Sequence, residues 1–153
     1  MTLADTLKLV HIISVSVWIG GEIMLGILFE RAQRSRDEGT LRGLLSQGDF
    51  IGKAVFNPAG IITLAAGIWL GIEGDYDFGE AWISIGFVGI AVGAILGMAF
   101  YPRVFNRGLA GIEAGGIDGS ETRASLKSLR LVSTLELLVL LVVVWAMVFK
   151  PGA

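Results

Sequence analysis

The sequence predicts an all-α fold, a polytopic membrane protein built as a bundle of four transmembrane helices. Its mean hydropathy is +0.72, and 54% of its 153 residues are hydrophobic while 17% are charged, a balance unlike that of soluble domains. A helix needs roughly 20 apolar residues to cross hydrocarbon about 30 Å thick. Four stretches are long enough, at residues 7–29, 51–72, 81–101 and 131–149. Because these spans use most of the chain, we expect a single domain.

The distribution of basic residues predicts the orientation. Segments 30–53 and 102–130 each carry five Lys or Arg residues, whereas segment 73–80 carries four acids and no basic residue. Positively charged loops stay in the cytoplasm. We therefore expect a multi-pass protein of the bacterial cytoplasmic (inner) membrane, with both basic segments inside and both termini outside. The basic residues are interleaved with acids and lack the aromatic spacing of a base-stacking surface, so we expect no nucleic-acid partner.

Proline and cap residues place the ends of the helices. Pro58 fits the first turn of span two, where its missing N–H would be unpaired in any case, and Pro102 follows the end of span three. Ser120 is a candidate N-cap, which predicts that the last helix starts in the cytosol and continues into the membrane. The glycine-rich segment 111–121 predicts a flexible link before that helix.

Glycines recur every four residues in span three, at Gly89, Gly93 and Gly97. Small residues at this spacing form one stripe on a helix and let two helix backbones approach closely in lipid. The stripe predicts packing within the bundle or, alternatively, the seam of a homo-oligomer.

His11, Trp18 and Glu22 share one face of span one. A helix turns about 100° per residue, which brings the three within roughly 20° of one line. Ionisable residues avoid lipid, so this line should face the bundle interior. His11, the only histidine, could hydrogen-bond to a neighbouring helix or ligate a metal or haem iron, and it supplies at most one protein bond to iron. The chain has no cysteine and no acid at the depth of His11, so we expect no other metal site.

A second set of polar residues is predicted at membrane depth. Glu136 lies about five residues into span four, which should bring it near the depth of Glu22. An ionised residue at mid-helix costs about 2.5–3.5 kcal/mol, so each acid must pair with an arginine, hydrogen-bond across helices, or form a ligand or proton site. The predicted polar layer comprises Glu22, Asn57, Ser133, Thr134 and Glu136, with Arg103 and Arg130 close enough to reach into it.

Segments along nearly the whole chain resemble a known group of membrane proteins. They are "LKLVHIISVSVWIGG" in span one, "NPAGIITLAAGIWLG" in span two, "AWISIG" at the start of span three, and "RLVSTLE" followed by "VFKP" at the end. In this order they resemble the four-helix proteins related to HemJ, the bacterial protoporphyrinogen IX oxidase, and to the copper-resistance D type. Several uncharacterised membrane families share the pattern, and the chain looks like a member of one of them.

The resemblance implies haem b as a cofactor and His11 as its iron ligand, with Trp18 on the same face. It also matches Glu136 to the acid near the start of the last span and Arg130 to the arginine that precedes it. HemJ-like proteins place a second haem ligand, a lysine, shortly after the tryptophan that opens span three, whereas this chain has Gly86 there. The missing lysine argues against porphyrin-oxidising activity.

Three functional hypotheses follow. The first is a protein that binds haem b or a related tetrapyrrole through His11, for redox or porphyrin handling. The second is a non-catalytic membrane subunit or scaffold, and the third is a proton, ion or small-solute carrier that uses Glu22 and Glu136. No nucleophile elbow, phosphate-binding loop, HExxH motif or dinucleotide fingerprint occurs, so hydrolase and nucleotide-driven activities are not expected.

Overall fold

The computed structural model describes residues 2–152 and contains only helices and turns in that range. Four continuous helices are each long and apolar enough to cross a membrane, which confirms the predicted all-α membrane bundle. Two of them are divided by a π-helical turn. The elements are α1 (Leu3–Arg34), α2 (Glu38–Ile51), a π turn (Gly52–Phe56), α3 (Asn57–Glu73), α4 (Ala81–Ile95), a second π turn (Leu96–Phe100), α5 (Tyr101–Gly115) and α6 (Ser120–Phe149).

Helix α1 begins with a reciprocal cap. The Thr2 backbone N–H donates to the Asp5 carboxylate at 2.9 Å, and the Asp5 N–H donates to the Thr2 hydroxyl at 3.1 Å. Two backbone donors at the helix start are thereby satisfied. The last turn carries Arg31 and Arg34, whose positive charge suits the negative end of the helix dipole.

The basic segments are helical, contrary to the expected loops and flexible link. Helices α2 and α5 continue the spans and pack against the ends of α1 and α6 beyond the apolar stretches, and we name this part of the bundle the basic end. Leu41, Leu45, Phe105 and Leu126 lie in its core, and Leu41 is fully buried. The apolar residues of α5 recur every three or four positions, which gives the helix one buried face. Segment 111–121 is therefore mostly helix, and the turn before α6 covers only residues 116–119.

Helix α6 starts at Ser120, as the sequence predicts, but Ser120 is not its N-cap. Gly119 occupies the N-cap position, and no side chain caps the helix there. Instead the Thr122 hydroxyl donates to the Gly116 carbonyl oxygen at 2.9 Å. Thr122 is fully buried, so this bond fastens the turn between α5 and α6.

Two glycines of the predicted stripe lie inside the protomer. A Cβ at Gly89 would lie within van der Waals overlap of Val143 of α6, and one at Gly93 would overlap the Trp18 ring of α1. Gly97 is half-buried, with the Asn57 side chain 3.5 Å from the position of a Cβ. These glycines therefore allow close packing within one chain, and a homo-oligomer through them stays a prediction.

The opposite end of the bundle holds Thr2, Gly152 and the turn 74–80. The Lys150 ammonium donates to the Tyr76 hydroxyl at 2.9 Å and lies 5.0 Å from the centre of the Trp82 ring. This hydrogen bond and the ammonium charge lower the pKa of Tyr76. The Trp82 indole N–H donates to Glu80, so the turn is fastened both to α4 and to the end of α6.

We expect Gly93→Ala to destabilise the bundle by about 1–3 kcal/mol, because the new methyl group would displace the buried Trp18 ring. The free energy of unfolding in mixed detergent micelles measures the effect. Gly20→Ala is the matched control, since nothing lies within 4 Å of a Cβ at that position. Equal stability of the two variants would show that Gly93 is not a point of close packing.

Candidate functional site

Two carboxyl groups and one phenol meet at membrane depth. Helix α1 supplies Glu22, α6 supplies Glu136, and Tyr101 is the first residue of α5. The Tyr101 hydroxyl donates to Glu136 Oε2 at 2.5 Å and lies 3.4 Å from Glu22 Oε1. Because both oxygens contact one hydroxyl, they are within about 6 Å of each other. Three helices that are distant in sequence thus form one polar centre, which we name the carboxyl pair with its bridging tyrosine.

The carboxyl pair is shielded from the surroundings. Glu136 is only 4% exposed. Glu22 is half-buried, but its Oε2 atom is fully buried and has no hydrogen-bond partner among the described residues. A buried polar atom without a partner costs free energy comparable to a lost hydrogen bond. Glu22 therefore presents an acceptor that a proton or a bound ligand could satisfy.

No arginine neutralises the pair within residues 2–152. Arg130 lies 3.4 Å from Glu30, which also accepts from Arg34 at 2.7 Å. None of the ion pairs found there includes Glu22 or Glu136. Two ionised carboxylates so close together in hydrocarbon would repel each other without compensation. A bound proton or a bound cation removes that cost.

The π turns position two of the residues around the pair. In each, a backbone N–H bonds to the carbonyl oxygen five residues earlier, from Asn57 to Gly52 and from Tyr101 to Leu96. A proline follows directly in both cases, at Pro58 and Pro102. Proline has no N–H for the carbonyl four residues before it and its ring crowds that carbonyl, so the helix widens locally. Single π turns are common at functional sites because they redirect the side chains that follow.

A cavity of about 1260 Å³ extends from the basic end to the carboxyl pair. It exceeds the roughly 300–1,000 Å³ of common small-molecule pockets. Its walls are mainly apolar and aromatic, and its polar groups concentrate around the pair and at the basic end. The lining includes Trp18, Glu22, Phe56, Tyr101 and Glu136 around the pair, and Arg31, Lys53 and Arg130 at the basic end.

The other residues of the predicted polar layer divide into two groups. Asn57, Ser133, Thr134 and Arg130 line the same cavity as the carboxyl pair, but Arg103 does not. The hydroxyls of Ser133 and Thr134 donate to the Arg130 carbonyl oxygen of their own helix, at 3.3 and 2.7 Å. They therefore offer a ligand only their acceptor lone pairs.

His11 lies in a separate polar contact between α1 and α3. Its Nδ1 is 2.9 Å from the Thr63 carbonyl oxygen. The buried Thr63 hydroxyl donates to the Ser14 hydroxyl at 2.9 Å, and Ser14 donates to the His11 carbonyl oxygen at 2.9 Å. A carbonyl only accepts, so Nδ1 carries the proton and Nε2 has a free lone pair. This is the hydrogen bond to a neighbouring helix that the sequence left open as one alternative.

His11 lies apart from the large cavity. A carbonyl bond at Nδ1 is typical of metal-bound histidines, but a porphyrin also needs a cavity beside Nε2. His11 lines neither the 1260 Å³ cavity nor the smaller lipid-facing groove between α1 and α3. Trp18 belongs to the large cavity, where it packs beside Gly60 and Gly93. In the part of the chain that the structure describes, no three acid or histidine side chains are grouped to hold a metal ion.

Sequence reasoning missed Tyr101 and Thr63. Tyr101 stands at the end of the third apolar stretch, where a tyrosine usually indicates an interfacial anchor. Its neighbour Pro102 was the available signal, because proline within a continuous helix marks a local distortion. The sequence could not indicate Thr63, since His11 contacts its backbone carbonyl oxygen, a group that every residue has.

The four spans and the buried carboxyl pair define an integral membrane protein with an internal polar site. A family model described as "Predicted integral membrane protein (DUF2269)" matches residues 5–151. The chain therefore belongs to that family, which confirms the expected place in an uncharacterised membrane family. No curated protein and no solved structure matches the chain.

We expect Tyr101→Phe to destabilise the bundle by about 1–3 kcal/mol, because Glu136 would lose its donor while remaining buried. Chemical unfolding in detergent micelles measures the loss. Tyr76→Phe is the matched control, because it removes the same hydroxyl from an exposed turn. Equal losses in the two variants would contradict a special role for the bridging hydroxyl.

Proposed function

We propose that this protein is a proton-coupled carrier of a small solute. The observation that carries the proposal is the carboxyl pair with its bridging tyrosine, placed at the inner end of a cavity that reaches the basic end. Buried ionisable residues in membrane proteins commonly form ion or proton pathways. None of the ion pairs found in residues 2–152 includes either acid, so a proton or a cation is left to neutralise the pair.

The bridging hydroxyl provides a path for one proton. Tyr101 has one proton to donate and lone pairs to accept, so it can receive the proton of a neutral Glu22 while it donates its own to an ionised Glu136. The O–H bond of Glu22 breaks as a new O–H bond forms on Tyr101, and the former Tyr101 proton ends on Glu136. The net result is a proton moved between two acids without an ionised phenol.

The π turns support a carrier that changes shape. Each divides a membrane-crossing helix beside the cavity, at Gly52–Phe56 and at Leu96–Phe100. Helices bend most readily at prolines and π turns. Bending at these two points would move α2 and α5 relative to α3 and α4, and would change access to the carboxyl pair from the basic end.

We infer that the basic end lies in the cytoplasm of a bacterial inner membrane, with both termini outside. Single cysteines test this orientation directly, because the chain has no cysteine of its own. We expect Ser128→Cys, on the exposed face of α6 at the basic end, to react with a membrane-impermeant maleimide only after the cells are opened. Glu73→Cys, at the end of α3, should react in intact cells. The reverse pattern would show that the orientation is wrong.

We expect the carboxyl pair to conduct protons even without the solute, so that the purified protein in liposomes takes up protons under an inside-negative potassium–valinomycin potential, read by an internal pH-sensitive dye. Glu22→Gln and Glu136→Gln should each lower the rate to that of protein-free liposomes, because the amide cannot release a proton. Glu113→Gln is the control acid, since Glu113 is paired with Arg42 at 2.8 Å and does not line the cavity, and it should keep the wild-type rate.

Infrared spectroscopy separates a blocked proton path from a misfolded variant. Protonated carboxyl groups give a band that shifts in D₂O, and the band should weaken in either glutamine variant while the helix signal stays unchanged. Wild-type flux in folded variants that lack both carboxyls would contradict the proposal.

The haem and HemJ-like hypotheses stay predictions. The hydrogen bond between His11 and Thr63 leaves Nε2 able to bind iron, so haem b held between two copies of the chain remains compatible with the residues. A non-catalytic subunit is also compatible with the fold. Neither hypothesis explains why two acids without an ion-pair partner among residues 2–152 line a large cavity.

A further inference from the structure

The walls of the cavity and its buried charge indicate different parts of one ligand. Around the carboxyl pair the cavity presents the Trp18 and Phe56 rings, together with apolar residues of α3 and α4. Carboxylates attract a cation, and aromatic faces do so as well. Apolar walls exclude a strongly hydrated ion, because its lost hydration would not be replaced. A cation whose charge is surrounded by hydrocarbon groups satisfies both the pair and the walls.

The cavity also opens on the side of the bundle. Ile61 of α3 is 68% exposed and Met98 of the second π turn is 71% exposed, and both line the cavity. Both residues lie in apolar stretches that cross the membrane, so the medium outside them is hydrocarbon. A lipophilic solute can therefore reach the carboxyl pair from within the bilayer.

The cavity is lined by basic side chains at the basic end, where it is open to water. Four basic side chains, those of Arg31, Arg34, Lys53 and Arg130, line the cavity at the basic end with two acids, Glu30 and Asp49, so the net charge there is positive. Lys53 is paired with Asp49 at 2.6 Å and Arg130 lies 3.4 Å from Glu30, while Arg31 takes part in none of the ion pairs found in residues 2–152. A small hydrophilic cation would meet this positive charge before it reached the pair, whereas a lipophilic cation avoids it through the lateral opening.

We propose that the ligand of this cavity is a lipophilic organic cation, which enters from the bilayer leaflet at the basic end and binds against Glu22 and Glu136 in exchange for a proton. This inference rests on the proposed proton-coupled carrier and names the class of its solute. The charge of the cation replaces the proton on the pair, and the aromatic and apolar walls contact its hydrocarbon groups.

The test uses two probes of nearly identical shape and opposite charge, tetraphenylphosphonium and tetraphenylborate. Equilibrium dialysis of the detergent-purified full chain should show saturable binding of the phosphonium ion and none of the borate. If one bound cation displaces one proton, the affinity falls about tenfold for each unit of pH below the titration of the pair. Glu136→Gln and Glu22→Gln should each weaken binding more than tenfold, whereas Glu113→Gln, at an acid that does not line the cavity, should bind like the wild type.

The outcomes separate this inference from the proposed function. Equal binding of both probes, or phosphonium binding that persists in folded Glu136→Gln and Glu22→Gln variants, would overturn the cation site. Absence of phosphonium binding together with glutamate-dependent proton flux would overturn the ligand class and leave the proton path intact. Should Glu136→Gln fail to fold, Glu22→Gln decides the result, because Glu22 is less buried.

Discussion

Hydrocarbon offers no hydrogen-bond partner, and the centre of this bundle is organised by that constraint. Two acids from α1 and α6 lie at membrane depth, and the Tyr101 hydroxyl contacts both of them. Because this hydroxyl of α5 lies between the two acids, it brings α1, α5 and α6 together at one point. The remaining buried acceptor, Glu22 Oε2, stays without a partner among the described residues. The same contact therefore fixes helix packing and leaves a polar group available for chemistry.

The bundle is held by two different kinds of packing. At the basic end, α2 and α5 bury large apolar side chains such as Leu41 and Phe105 against each other, as a soluble domain does. Within the apolar stretches, water is absent and burial of apolar surface provides no driving force. There α4 approaches its neighbours at Gly89 and Gly93, where backbone proximity increases van der Waals contact. The carboxyl pair lies where these two regions meet.

The sequence identified the two acids of the site but not the side chains that contact them. Glu22 and Glu136 were identified because carboxylates are rare and costly in apolar stretches, and helical periodicity oriented Glu22 inward. Of the alternatives that the sequence left open for these acids, the structure shows a hydrogen bond across helices, from Tyr101 to Glu136, while Arg130 lies near Glu30 at the basic end. Periodicity specifies a face and a depth for each helix separately. It does not specify how far two helices are rotated relative to each other, which decides whether Arg130 or Tyr101 meets the acids.

Hydropathy and charge by themselves determined that this chain is an all-helical membrane protein with four spans, since the length of an apolar run and the cost of buried charge are local properties. The tertiary structure decided which side chains of different helices contact each other. It made helices of both basic segments, placed His11 against Thr63 rather than in the large cavity, and brought Tyr101 between two acids. The π turns beside the two prolines and the close contacts at the glycines set how the helices lie against one another. Which side chains then meet is decided only when the helices pack together.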